Sequence, residues 1–556
     1  MVPLAFARSQ LGDSKDPVAV MEAVQGSATR VDIFCQAGSM VVPRQSPRLV
    51  EFLGSMVHEI RRPRPGRLFH PKLWLLRFDS SDSAPCFRFL ALSRNLTLDR
   101  SWDLVLRLDG SESRRRNPGN DQLVRLIHAL PGMTTTEVPG ERAEGIGELA
   151  NQVRRVEWEH PDDVNEIHLW AFGLGRTRRP DFSGYRKLVI SPFLTEGGLD
   201  VVRADTRQAD LSVVARSEEF DRLGAEAFAD STTYILDPVA EYEDEPDTPD
   251  RPPALSNLHA KMFVVERDKR AHVFVGSANA TEAAFGGNVE ILCELVGGHT
   301  KLGVGSILDD DTGMGVVLQP YQPRGSQPEN EADALKWRLE EFLRSAAEVP
   351  LAAHVSPDHE HWRIQLLSGR DLPTTSDAIE FSLGPLNRPL ERYPAEPGAS
   401  VRQTLGPRSG ADLTAFYILT ARSLTTALRP VSCVVRAELI GAPESRLDEI
   451  VAEQINTPEK FLRFLLLLLG AEPDPTDWTH EARVGAAEFG AWQASVSGVF
   501  ELLTTSLASR PETIDDLAGI VGRLQKTEQG RSILPAGWDD LWEAVMAARV
   551  RLGNPA

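Results

Sequence analysis

Along the first 320 residues the chain alternates short apolar runs with amphipathic stretches. Val31-Asp-Ile-Phe-Cys-Gln reads as a strand, followed by an amphipathic helix over 47–60. Lys72 to Phe78, Arg88 to Leu92, Lys261 to Val265 and His272 to Val275 are β-branched, leucine-rich or aromatic runs of strand length. Leu188-Val-Ile-Ser-Pro-Phe-Leu reads as a strand, Glu218 to Phe228 as a helix, and Thr233-Tyr-Ile-Leu as a further strand. Residues 119–130 and 146–156 carry helical periodicity. Strands interleaved with helices predict an α/β fold, with a sheet sandwich in each of two halves. After about residue 320 the text changes. A helix is expected over 330–347. Short strands are expected at Arg363-Ile-Gln-Leu-Leu, Ala378-Ile-Glu-Phe-Ser, Phe416-Tyr-Ile-Leu and Cys433-Val-Val-Arg-Ala, split by Pro- and Gly-rich loops. From Pro443 onward the periodicity is helical, clearest at 458–469, 486–507 and 538–551. The expected organisation is therefore two α/β halves, 1–165 and 166–325, a helix with a small β-rich module over 326–440, and a helical region over 441–556.

The two halves repeat one word order. Leu-Phe-His70-Pro-Lys72 opens a strand, Ser93-Arg-Asn95-Leu-Thr97 follows the next one, and Trp102-Asp103 opens a third apolar run. The second copy reads His259-Ala-Lys261, then Gly276-Ser277-Ala-Asn279-Ala-Thr281, then Asn288-Val-Glu290. One H-x-K carries little information. Two copies, each followed by S-x-N-x-T and then by a carboxylate that opens an apolar run, amount to an internal repeat.

Residues i and i+2 of a strand share a face, so each His projects beside its Lys. Paired about one cleft, the copies would offer two imidazoles, two ammonium groups and two amides to a single phosphate. Lysines neutralise its oxygens and Asn95 and Asn279 hold them by hydrogen bonds. One His, neutral, can attack phosphorus, and the other, protonated, can protonate the leaving oxygen. The intermediate would be a phosphohistidine. A carboxylate on the nucleophile's far nitrogen would fix its tautomer, and Glu290 and Asp103 are candidates. Ser93, Ser277, Thr97, Thr281 and Arg67 are the expected substrate contacts. No metal or other cofactor is called for, because lysine charge takes that place.

These residues resemble the phospholipase D superfamily, whose signature is H-x-K, usually with an Asp further along, followed by G-S-x-N. The resemblance spans roughly residues 1–320. Glu266 and Arg77 stand at the usual Asp position and Leu92 replaces the Gly in the first copy, where the motif spacing is also five residues longer. The resemblance implies phosphodiester chemistry on DNA, RNA or phospholipid. A protein that only binds a phosphate-bearing ligand is the non-enzymatic alternative.

Composition narrows the choice among these. The 556 residues are 42% hydrophobic and 25% charged, as in globular proteins. Four widely spaced cysteines form no C-x-x-C pair and suit a reducing compartment. The first residues lack a basic stretch ahead of a long apolar run, and the five leucines from Leu465 lie in a run too short to span a bilayer. The expectation is a cytoplasmic chain without membrane insertion, which favours nucleic acid over lipid. The formal net charge of −20 opposes polyanion binding on average. Part of it lies in the acidic run from Glu241 to Asp247, and the arginines at 61, 62, 64 and 67 lead directly into the first motif. The layout is similar to bacterial phospholipase D-like nucleases that accompany helicases or ATPases in restriction and anti-phage systems, so a helicase or ATPase partner is expected. His354, Asp358, His359 and His361 match no usual zinc spacing and read as an exposed loop.

Overall fold

The computed structural model describes residue 28, residues 30–43, 48–80, 83–95, 101–175, 178–203, 210–237, 257–325 and 331–443, parts of 446–469 and most of 490–553. The fold is α/β. The chain forms two compact units. One takes Phe34–Ser39 and His58–Arg338, and the other the described residues within Met1–Ile33, Met40–Val57 and Leu339–Ala556.

Short strands β1 (Ile33–Gln36) and β2 (Val57–Ile60) pair with each other. The unit that carries both motifs holds two larger sheets. The first is antiparallel throughout, in the order β3 (Leu73–Phe78), β4 (Cys86–Leu92), β5 (Val105–Glu112), β6 (Val156–Trp158). The second has eight strands, built from β7 (Val164–Phe172), β8 (Arg186–Ile190), β9 (Asp210–Val214), β10 (Ser231–Leu236), β11 (Met262–Arg267), β12 (Arg270–Gly276), β13 (Glu290–Gly298) and β14 (Leu318–Pro320). Its order is β14-β10-β9-β8-β11-β12-β13-β7. Strands β8, β9 and β10 run parallel, joined through the helices Glu196–Arg203 and Ser217–Leu223, and the rest are antiparallel.

The large sheet is buried on both faces, which explains why its strands read as unbroken apolar runs rather than alternating ones. Phe263 and Val265 of β11 join Phe274, Leu199 and Phe220 in the core under the crossover helices. Met262 and Val264 face the other way, into a core with Val273, Val275 and Leu188. A third core joins Phe87, Phe89 and Leu108 of the small sheet to Ile291 and Cys293 of β13 and to Leu123, Leu126 and Ile146 from the helices Asp121–Met133 and Gly140–Val153. The small sheet therefore packs on the large one, and the two motifs end up in one body.

The other unit holds two four-stranded sheets, with strands between Leu351 and Ile440, and a helical core in which Phe461, Leu465, Leu503, Leu517 and Trp538 are buried. Its clearest helices are Gly490–Ser509, Pro511–Leu524 and Trp538–Gly553.

Several sequence expectations need correction. The helix expected over 47–60 is a 3-10 helix, Arg48–Ser55, followed by strand β2, because all four β2 residues are buried in pairing. The helix expected from Glu218 to Phe228 breaks at Gly224, which takes φ +79. The helix expected over 146–156 runs earlier, Gly140–Val153, and Val156 begins β6. The two halves carry sheets of different size: the second supplies most of the eight-stranded sheet, with β8, β9 and β10 parallel, and the first the four-stranded antiparallel sheet and the β1–β2 pair. Finally, the His354–His361 segment is no loop. Buried Leu351, Ala353 and Val355 place His354 on a strand, Leu351–Asp358, that turns into the strand His361–Ser368, with Asp358 opposite His361. The helix Pro511–Leu524 was missed. The acidic run from Glu241 to Asp247 lies outside the described residues.

Candidate active site

Each motif begins where the chain enters a strand. Lys72 immediately precedes β3 and Lys261 immediately precedes β11, so the two short H-x-K segments lie at corresponding sheet ends. The hairpins behind them differ. β11 and β12 are joined by a two-residue turn, Asp268 and Lys269, both at positive φ (49 and 62), the conformation that matches strand twist. Residues 79–85 join β3 and β4, which is five residues more. That loop is the whole difference in motif spacing. It lies far from the His–Lys end, so the site geometry is preserved.

The decisive feature is a crossed pairing. The His70 N–H donates to the Val289 carbonyl (2.9 Å), and the Val289 N–H donates to the Leu68 carbonyl (2.8 Å). The His259 N–H donates to the Trp102 carbonyl (2.8 Å), and the Trp102 N–H donates to the Asn257 carbonyl (2.7 Å). Both contacts are parallel β-bridges, Phe69 with Val289 and Trp102 with Leu258. Each histidine is thus docked beside the residue that precedes the other copy's carboxylate. Two distant stretches of chain lock one site.

In the first half-site, His70 Nδ1 lies 3.0 Å from both Oε1 and Oε2 of Glu290, and the Lys72 ammonium contacts His70 Nε2. The tautomer follows from these partners: a carboxylate accepts from Nδ1–H, which leaves the lone pair on Nε2. Glu290 is 1% exposed and also accepts from the Ser277 hydroxyl and from Asn288 Nδ2 (3.3 Å). Burial works against its charge, but His70, Lys72 and Ser277 outweigh it and hold the carboxyl below the usual range. The His70 side chain keeps 29% of its surface exposed, so its Nε2 edge is reachable.

The second half-site is wired differently. Lys261 Nζ lies 3.1 Å from His259 Nδ1 and 3.0 Å from the His259 carbonyl. An ammonium donor on Nδ1 places the ring proton on Nε2, the opposite tautomer to His70. Asp103 accepts from the Ser93 hydroxyl and pairs with Arg94 Nε at 3.3 Å. Burial, then the charges of Lys261 and Lys72, push His259 down to about 4, with Asp103 opposing and Arg216 adding to the effect. Lys72 is pushed down to about 8 by burial, against Glu290 and Asp103. Lys261, 1% exposed, is pushed down to about 7 by burial and by Lys72. Lys72 acts on both His259 and Lys261, and Glu290 and Asp103 act on both lysines. The two half-sites therefore share one electrostatic environment, a cationic hole that an anion would relieve.

The remaining candidates divide. Ser93 and Ser277 are fully buried and turn away from any substrate. Their hydroxyls donate to Asp103 and Glu290 and accept from the Leu104 and Ile291 N–H groups (2.9 and 3.0 Å). Thr281 Oγ1 caps the short helix Glu282–Gly286 by accepting from the Ala284 N–H. Asn279 is half-buried, and its Oδ1 is buried with no hydrogen-bond partner in the protein. Asn95 is exposed, and Thr97 lies outside the described residues. The Arg67 side chain lies along Gly287, where an added Cβ would come within 3.2 Å of its Cδ. Gly276 is obligatory, since a Cβ there would lie 2.2 Å from the Ile291 carbonyl oxygen. Glu266 serves structure: its Oε1 accepts the Val304 N–H at 2.7 Å. Arg77 points to Asp79 and Gln152.

Two residues of the site escaped the sequence reading. Asn288 accepts the Leu68 N–H (2.8 Å) while donating to Glu290, so it ties the first motif to the second. Its place just before Val-Glu290 was a signal, because Ser101 holds the same place before Trp-Asp103 and accepts from Arg94 (2.8 Å). Arg216 donates through Nε and Nη2 to the Leu258 carbonyl (3.0 and 2.8 Å) and lies over the Phe193 ring, 4.9 Å from its centroid. Nothing in the sequence marked it.

Among the described residues, no group of three or more His, Cys, Asp or Glu is arranged to hold a metal ion, and no helix is long and apolar enough to cross a membrane. No protein-family model and no curated protein matches the sequence. Among solved structures, the chain is similar to the polyphosphate kinase of Porphyromonas gingivalis, with 12% identity and a TM-score of 0.32 over 60% of this chain. That match spans 48% of the kinase, about half its length. It is also similar to the phosphatidylserine synthase of Haemophilus influenzae Rd KW20, with 9% identity and a TM-score of 0.31, over 62% of this chain and 91% of that one. Likenesses of this size do not decide what the chain does.

Proposed function

We propose that this chain is a phosphodiesterase of the phospholipase D type that works through a phosphohistidine, and that its substrate is nucleic acid. The observation that carries the reading is the crossed pairing, which docks each histidine beside the residue before the other copy's carboxylate and so supports one site shared by both H-x-K motifs. His70 is the nucleophile: its Nε2 lone pair attacks phosphorus, the P–N bond forms, and Glu290 stabilises the imidazolium. As the bond to the leaving oxygen breaks, protonated His259 gives that oxygen its proton. Water then loses a proton to His259 and attacks phosphorus. The P–N bond breaks, and a phosphomonoester leaves a neutral His70.

His259 has a low proton affinity in the empty site. A bound phosphodiester brings negative charge against Lys72 and Lys261 and so reverses the electrostatic part of that depression. Lys72, which contacts His70 Nε2 before substrate arrives, transfers its hydrogen bonds to phosphate oxygens and frees the lone pair. Asn279 Oδ1 is buried without a hydrogen-bond partner in the protein, which supports a role for this amide in fixing the bound ligand. The positive charge needed at the equatorial oxygens is supplied by the two lysines.

The test is to incubate the protein in chelator with bis(p-nitrophenyl) phosphate, labelled single- and double-stranded DNA, RNA and phospholipid vesicles. Chelator-resistant cleavage with an acid-labile, base-stable phosphoenzyme supports the reading. Head-group release without nucleic-acid cleavage would move the substrate to lipid. Tight nucleic-acid binding without turnover on any substrate would make the chain a binding protein.

A further inference from the structure

Beside the His70 half-site is a concave surface of about 400 Å³ lined by Arg61, Arg62 and Arg64 together with Gly132, Gly173 and Gly175. Its position follows from the fold. Phe172 is paired with Glu290 across β7 and β13, and Gly173 is the next residue, so this wall of the groove starts one residue from the catalytic carboxylate's partner. Gly173 has φ +90, and a Cβ there would lie 1.8 Å from the Asn288 carbonyl oxygen. Gly175 has φ +57. Gly173 is bare backbone because close approach and handedness demand it, and Leu174, Met133 and Ala129 line the same surface beside it. On the opposite side the Arg67 N–H donates to the Arg64 carbonyl (3.1 Å), a turn that carries the chain from the groove straight to Leu68, Phe69 and His70. Arg67 lies along Gly286 and Gly287, and Arg179 Nη1 donates to the Phe285 carbonyl (3.3 Å), so two further arginines meet the segment that leads to Asn288.

In a chain of net charge −20, three arginines gathered at one groove, on the segment that leads into the first H-x-K motif, form a local field of the opposite sign. Guanidinium forks suit phosphate oxygens better than any other side chain. The groove lining includes half-buried Met133 and Leu174, and among the described residues none of the large apolar side chains that are exposed.

We propose that this arginine groove is a second phosphate-binding subsite, which holds the backbone of a single-stranded nucleic acid a few nucleotides from the scissile phosphate on the His70 side. The inference rests on the phosphodiesterase reading for its direction, because the groove leads to the nucleophile. It makes the enzyme one that acts on polymers, with binding energy drawn from phosphates that do not react.

The test uses the full chain carrying His70→Ala, which binds without turnover, and a fluorescein-labelled 15-nucleotide single-stranded DNA. Adding Arg62→Glu and Arg64→Glu together is expected to weaken binding at least tenfold at 100 mM salt. It should also flatten the plot of log affinity against log salt by about 0.7 for each phosphate that the groove no longer neutralises. Arg64→Ala alone, at an exposed position, is the milder partner should the double variant melt early. In the wild-type background the same changes should lower kcat/KM for the oligonucleotide at least tenfold relative to that for bis(p-nitrophenyl) phosphate. Affinity and salt slope within twofold of the parent would overturn the proposal, as would equal losses on both substrates. Equal or tighter binding of inorganic polyphosphate or phosphatidylglycerol vesicles at the same residues would overturn nucleic acid as the occupant. Groove-dependent oligonucleotide binding by a chain that cleaves no phosphodiester would leave the groove standing and remove the phosphodiesterase reading instead.

Discussion

His70 and His259 occupy the same local frame and are tuned in opposite ways. Each sits two residues before a buried lysine and docks by a backbone bridge beside the other copy's carboxylate. Ser93 and Ser277 repeat the same hydrogen bonds behind them. Yet Glu290 turns both oxygens to His70, whereas Asp103 is engaged by Ser93 and Arg94, and His259 meets the ammonium of Lys261 instead. These partners leave a lone pair on Nε2 of His70 and a proton on Nε2 of His259. On the proposed reading the repeated motif is divided into a nucleophile and a proton carrier by what surrounds it, the device by which unequal environments separate acid from base in enzymes.

The comparison breaks most sharply at the histidines themselves. His70→Ala and His259→Ala, assayed separately on bis(p-nitrophenyl) phosphate, should each lower kcat by about a thousandfold or more. If either variant kept a near-normal rate, the rings would not share one reaction. Only the His259→Ala protein should still accumulate phosphoenzyme from substrates with good leaving groups, because His70 remains intact.

The carboxylates come next. Glu290→Gln should cost on the order of 10²–10⁴ in kcat, as expected for loss of the group that fixes a nucleophilic tautomer. Asp103→Asn should cost at least tenfold less. Equal effects would show that the two half-sites are used alike.

The lysines set a pH dependence with two opposite signs. An anion needs them protonated, and in the empty site they lose their protons near 7 for Lys261 and near 8 for Lys72. Sulfate keeps its charge over this range, so its affinity should fall about 10- to 100-fold between pH 6.5 and 8.5 by titration calorimetry. A flat profile would mean that the ammonium groups do not hold the anion. Stability runs the other way. Because the folded pKa lies below the unfolded one, the unfolded chain binds more protons between about 7 and 10.5, and the lysine contribution to stability rises with pH across that window. His259 behaves likewise between about 4 and 6.5.

The smallest effect concerns stability. Burial and the Lys72 charge disfavour the Lys261 ammonium more than Glu290 and Asp103 favour it, so Lys261→Met should remove activity yet raise the melting temperature at pH 7 by a few degrees, at about 2–4 °C for each kcal/mol in a unit of this size. A lower melting temperature would show that the ammonium is fully compensated in the folded state.

Much of this was legible in the sequence because it is local. H-x-K places two side chains on one face through strand pleating alone, and the apolar runs after Lys72 and Lys261 needed no tertiary context to read as strands. The His354 to His361 hairpin differs from the expected loop because the alternation of Leu351, Ala353 and Val355, and not the polar residues between them, sets the strand. Strand text also does not say which sheet a strand joins: β1 and β2 pair with each other apart from both larger sheets.

The sequence by itself determined the inventory of this site: two histidines, two lysines and two carboxylates, repeated in order, each beside the strand that presents it. Tertiary structure decided the pairings, since Glu290 serves a histidine 220 positions away and Asn288 joins the same two segments. It also recruited Arg216, which nothing nearby in the chain announced. The physical reason is range. Pleat and periodicity act over a few residues and are written in the local text, whereas a shared charge environment and a backbone bridge exist only once distant strands have been packed side by side.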